Sequence, residues 1–155
     1  MFLRRFVLAA LWMTLVLTLG FSFFGKQRTE VIVLPVLKAF VPGASSAQLR
    51  AAHEVVRKVV HLSEYAVLAL LWFQTLVARR TWTPRRASWA AISICLLCAF
   101  ADEAHQSMLL ARTGSARDLV LDGSGALAML IVARSRREMS DTVVVSGGQA
   151  IEPAD

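Results

Sequence analysis

Residues 102–125 read DEAHQSMLLARTGSARDLVLDGSG, placing four carboxylates, a histidine, a glutamine and two arginines between two strongly apolar runs. That is the wrong composition for a membrane span. It is also wrong for an ordinary loop, because Asp118 and Asp122 continue into the apolar segment LVLDGSGALAMLIVA instead of stopping before it. Ionisable groups at the edge of hydrocarbon are costly and usually functional. The stretch therefore predicts apolar helices whose polar residues gather at one end of a bundle.

Working outward, a second cluster opens an earlier apolar run, with Lys58, His61, Glu64 and Tyr65 in the order K-x-x-H-x-x-E-Y. Around both clusters the chain is apolar: 155 residues, 56% hydrophobic, mean hydropathy +0.55. This is too apolar for a soluble domain and leaves length for only a few spans. The formal charge of +6 would suggest nucleic acid in a soluble chain. Here the arginines flank apolar runs, where membrane topology accounts for them, and no nucleic-acid partner is expected.

The runs predict an all-α integral membrane protein with four transmembrane helices in a bundle, at about 6–24, 59–77, 87–104 and 116–133. The first also fits a signal peptide, but it ends in GFSFFGK without a small-x-small cleavage site, so it is read as a retained span. Thr14, Thr18 and Ser22 share one face of it, either lining the bundle or bonding back to their own helix. Residues 25–57 form an outer loop: Pro35 and Lys38 make EVIVLPVLKAFVPG too interrupted to cross, so an interfacial or folded-back segment is expected. Ser45 or Ser46 is placed to cap a helix leading through Gln48 to Val56 into the second span. His53, alone in this loop, is read as solvated.

With four spans, Arg4 and Arg5, the four arginines of residues 79–86, and Arg134, Arg136 and Arg137 all fall on one side. Both termini are then cytoplasmic. Residues 1–137 make one membrane domain, and the tail 138–155, with four acids and no base, reads as a disordered cytoplasmic extension. Cys95 and Cys98 form a C-x-x-C inside the third span, where they read as small packing residues rather than a redox or metal pair.

The same boundaries bring His61 and Glu64, Asp102 and His105, and Asp118 and Asp122 to one depth at the outer leaflet. Facing lipid would cost on the order of 2.5–3.5 kcal/mol per charge near the bilayer centre. They are therefore expected to face one another. Five of the seven acids before the tail belong to this cluster, as do two of the three histidines.

Several uses remain open. A salt-bridged scaffold would have Lys58, Arg112 and Arg117 neutralising the carboxylates. An enzyme would draw its catalytic groups from His61, Glu64, Asp102, Glu103, His105, Asp118 and Asp122. Lys58, Tyr65, Gln106, Arg112 and Arg117 would then hold an anionic substrate such as a lipid-linked envelope precursor, for phosphoryl or glycosyl chemistry. A variant holds a divalent metal on His61, Glu64, Asp102 and His105, a mixed oxygen and nitrogen set suited to Zn, Mn or Fe. The last class is a module that binds its ligand without turnover. No Walker loop, H-E-x-x-H or nucleophile elbow is present.

Together the two clusters resemble the VanZ-like family, through Lys58, His61, Glu64 and Tyr65, then Asp102, Glu103, His105, Gln106, Arg112, Gly114, Ser115, Asp118, Asp122, Gly125 and Ala126. Leu110 and Ala111 stand where Pro-Gly often precedes the arginine, and Met129 replaces a glycine. The resemblance implies a small multi-spanning protein of the bacterial inner membrane with a role in the cell envelope. It also implies a link to tolerance of the glycopeptide teicoplanin, but no agreed activity.

Overall fold

The computed structural model describes residues 2–19, 26–79, 81–107 and 116–148. All of its regular structure is helical: α1 Phe2–Thr18, α2 Lys26–Phe40, α3 Ser46–Val77, α4 Pro84–Ser107 and α5 Ala116–Gly148. α3 and α4 are long and apolar enough to cross a membrane. The other two expected spans do not reach that standard among the described residues. α1 is described as helix only to Thr18, and α5 opens with Arg117, Asp118 and Asp122 and carries Arg134 and Arg136 at the far end of its apolar stretch.

The loop expected over residues 25–57 is mostly helix. α2 runs through Pro35, whose missing N–H removes one helical bond at an exposed stretch of the element without ending it. A turn through Pro42 and Gly43 then leads to Ser45, which caps α3 as the sequence suggested. The Ser45 hydroxyl accepts from the Gln48 N–H at 3.3 Å, and the Gln48 side chain accepts from the Ser45 N–H at 2.9 Å. With 32 residues, α3 is about 48 Å long, against roughly 30 Å of hydrocarbon, so its first turns lie outside the expected span. α2 packs on those turns, and His53 is buried rather than solvated, with its Nε2 at 3.2 Å from the Thr29 hydroxyl.

α5 also differs from expectation. It continues to Gly148, through the first eleven residues of the segment read as a disordered tail. Ion pairs one helical turn apart, Arg134 to Glu138 at 2.7 Å and Arg137 to Asp141 at 3.6 Å, support the extension.

α3, α4 and α5 pack against one another, α1 lies chiefly on α3, and α2 touches α3. The core sets small residues at helical spacing, Ala87, Ala91, Cys95 and Ala99 on α4 and Ala126 on α5, together with Leu130, against Tyr65, Leu68, Ala69 and Phe73 of α3. Small side chains let helix backbones approach closely. Cys95 and Cys98 are both free and buried in this packing, as their apolar setting suggested. The opposite faces are apolar and exposed, with Leu3, Val7 and Leu11 on α1, Trp89, Leu97 and Phe100 on α4, and Val120, Leu127 and Ile131 on α5. Thr14 and Thr18 bond back to Ala10 and Thr14 of their own helix.

Candidate functional site

Each buried stripe ends in an ionisable residue. On α4 the series Ala87, Ala91, Cys95, Cys98 and Ala99 is continued one turn later by Asp102, which is buried too. On α5, Leu130 and Ala126 lead back to Asp122, also buried. On α3, Phe73, Ala69, Leu68 and Tyr65 lead back to His61. The helical period that builds the core thus delivers the polar residues to one place.

What brings α3 and α5 close enough is Gly125. A Cβ built there would strike the Leu62 carbonyl oxygen, so the two backbones touch at this point. One residue before Leu62 and one turn before Gly125, His61 and Asp122 face each other. The His61 Nδ1 lies 3.9 Å from Asp122 Oδ1 and 3.9 Å from Glu64 Oε2. Both distances exceed hydrogen-bond reach, so the imidazole interacts with the two carboxylates through space. Asp102 is near enough to Glu64 and Tyr65 to interact with both electrostatically.

Beside this contact is a hollow lined by Glu54, Arg57, Lys58, His61, Leu121 and Asp122, about 300 Å³ in size when the space open to solvent is counted. Glu54 and Arg57 were not anticipated. Their spacing gave the signal, because Glu54, Arg57, Lys58 and His61 fall at i, i+3, i+4 and i+7 of one helix face. Trp12 was missed as well. Its indole N–H donates to the Glu64 carbonyl at 3.1 Å, tying α1 to the site, and nothing in the sequence linked an apolar residue of the first helix to it.

Of the predicted residues, the structure brings together Lys58, His61, Glu64, Tyr65, Asp102 and Asp122. Glu103 and His105 are partly buried in the last two turns of α4, at the end of that helix away from Trp82. Arg112, Gly114 and Ser115 lie outside the described residues, as do the side chains of Gln106, Arg117 and Asp118. The proposed metal set is not assembled. Among the described residues no group of three or more His, Cys, Asp or Glu side chains is placed to hold an ion, so His61, Glu64, Asp102 and His105 do not form a ligand shell there.

The Tyr65 hydroxyl is buried and has no hydrogen-bond partner among the described residues. Leaving a buried hydroxyl unpaired costs about 1–3 kcal/mol. Tyr65→Phe is therefore expected to leave the thermal stability of the detergent-solubilised protein unchanged or slightly raised. A lowered melting temperature would mean that the hydroxyl has a partner in the folded protein.

Chemically, a histidine between two carboxylates can pass protons, and Arg57 and Lys58 supply positive charge for an anion at the mouth of the hollow. No curated protein and no solved structure matches the chain. A family model described as VanZ/LLP1 matches residues 3–137, which takes in all the residues of this cluster. With so much of its length matched, the chain belongs to the VanZ/LLP1 family.

Proposed function

We propose that this is a four-span protein of the bacterial cytoplasmic membrane, crossing on α1, α3, α4 and α5 with both termini inside. Its hollow at the outer leaflet binds a lipid-linked envelope precursor and contributes to tolerance of teicoplanin-type glycopeptides. The observation that carries the reading is segregation of charge along the bundle. Arg5, Arg79 and Arg137 border one hollow at one end, whereas His61, Glu64, Asp102 and Asp122 gather towards the other. Arginine-rich ends remain cytoplasmic, which turns the acid and histidine end outward. From His61 to Val77, α3 rises about 24 Å, most of a hydrocarbon core.

Lys58 and Arg57 would meet the anionic part of the ligand, while Glu64 and Asp122 hold His61 and Asp102 accepts hydroxyl donors. The test uses purified protein in micelles with a lipid-linked disaccharide-peptide precursor. Saturable binding is expected, weakened roughly tenfold or more, or at least about 1.4 kcal/mol, by Glu64→Gln and Asp102→Asn. Expression of the wild type, but not of these variants at equal membrane abundance, should raise teicoplanin tolerance of a susceptible host. Turnover of the precursor would replace binding by catalysis. Variants that unfold without any wild-type binding would reduce the cluster to a scaffold.

A further inference from the structure

At the far end of the bundle from His61, a second hollow is lined by Arg5, Val77, Ala78, Arg79, Trp82, Pro84, Arg137 and Asp141, some 730 Å³ in size with its solvent-open part included. Its three arginines come from α1, the turn after α3, and α5. We propose that this hollow binds the phosphate headgroup of an anionic phospholipid. The proposal rests on the membrane reading above, but not on the chemistry of the His61 site.

The first argument is charge. Three guanidinium groups border the hollow with Asp141 as the one acid in its lining, and that carboxylate is spent on Arg137 at 3.6 Å. Neither Arg5 nor Arg79 has a carboxylate within ion-pair distance among the described residues. Arg5 donates one N–H to the Gln74 carbonyl at 3.3 Å, and Arg79 lies over the Phe2 ring at 4.4 Å. Stacking occupies the face of a guanidinium and leaves its in-plane N–H groups directed outward, the geometry that suits a phosphate. Phe2 is itself stacked on Phe6, which meets Trp72 edge-on, so the platform under Arg79 is anchored to α3. Converged like charges need an anion to balance them.

The second argument is the lining's other half. Val77, Ala78 and Pro84 are apolar, and Trp82 is a side chain that favours the membrane–water boundary. A free phosphate has no use for that wall, whereas a headgroup continuing into glycerol and acyl chains does. Basic pockets between helices at the cytoplasmic side commonly hold anionic lipid headgroups.

The full chain extracted from membranes into a neutral detergent is the material for the test. Lipid retained through dilution is read by native mass spectrometry, and melting temperature by loss of helical circular dichroism. Phosphatidylglycerol is expected to remain bound and to raise the melting temperature, while phosphatidylcholine and inorganic phosphate at equal concentration do neither. Arg5→Gln and Arg79→Gln should each lower phosphatidylglycerol retention by roughly tenfold, about 1.4 kcal/mol. Arg85→Gln, a change to an exposed arginine outside the lining, should leave it near wild type. Equal retention of the two lipids by the wild type would overturn the proposal. So would an equal response to inorganic phosphate, or an equal loss from Arg85→Gln. Recovery of the chain in the soluble fraction would instead overturn the membrane reading.

Discussion

Gly125→Leu is expected to abolish recovery of folded protein, the largest effect of any single substitution in the bundle. A Cβ at this position would meet the Leu62 carbonyl oxygen closer than real Cβ atoms ever come, with Leu62 Cγ at 3.0 Å and the carbonyl carbon at 3.2 Å. These are mainly backbone atoms of a packed helix and cannot turn aside as a side-chain tip can. Two effects compete in Gly125→Ala. Removing a glycine from a helix gains about 1 kcal/mol, and overpacking costs typically 1–3 kcal/mol. The clash prevails, and even alanine should lower the melting temperature. Leucine adds three more carbons to a contact with no room for one, at a cost approaching the whole stability of a small domain, about 5–15 kcal/mol. Gly123 is the control. Its Cβ would meet only the Leu96 Cδ2 at 3.2 Å, a movable end, so Gly123→Ala should be close to neutral. Yield and melting temperature in micelles decide the matter. A Gly125→Leu protein as abundant and as stable as the wild type would show that α3 and α5 do not touch there.

The site was more legible than the architecture around it, for a physical reason. Lys58, His61, Glu64 and Tyr65, and on other helices Asp102 and Asp122, betray themselves because charge beside hydrocarbon has few explanations, and the helical period then says which residues share a face. That Asp122 and His61 would be neighbours followed from the expectation that charges avoid lipid. How close they would come did not, since the approach is set by Gly125 against a backbone atom of Leu62. α2 was hidden by its own composition. Pro35 and Lys38 argued for an interfacial or folded-back segment, and what lies there is a helix, because one packed on α3 needs only one apolar face and tolerates a proline where its backbone is exposed. His53 was misread for the same reason: without α2 there was nothing to bury it. The extension of α5 past Ala133 turned on Arg134 with Glu138 and Arg137 with Asp141. Those pairs were present in the sequence at helical spacing, but were outweighed there by the acidic composition of the tail. The Trp12 to Glu64 bond left no trace at all.

Asp122→Lys is expected to destabilise the protein by about 3–5 kcal/mol, well beyond Asp122→Asn, for which about 1–3 kcal/mol is expected. Asp122 is buried, with its carboxylate facing His61 Nδ1 and bordering the hollow that Arg57 and Lys58 also line. Asparagine keeps the shape and one acceptor, and loses the attraction between the carboxylate and those cations. Lysine brings an ammonium group to a place already lined by two cations and a histidine, with Glu54 and Glu64 left to balance them. Size alone could also harm a packed helix, so the charge needs its own test. In the Asp122→Lys background, Lys58→Glu restores the balance of charge in the hollow without restoring volume at position 122, and part of the lost stability should return. Melting temperatures of the three variants in micelles give the answer. Lysine and asparagine variants unfolding together, or no recovery from Lys58→Glu, would mean that water screens position 122. The attraction between His61 and Asp122 would then hold nothing in place, and α3 and α5 would be joined by their small residues alone.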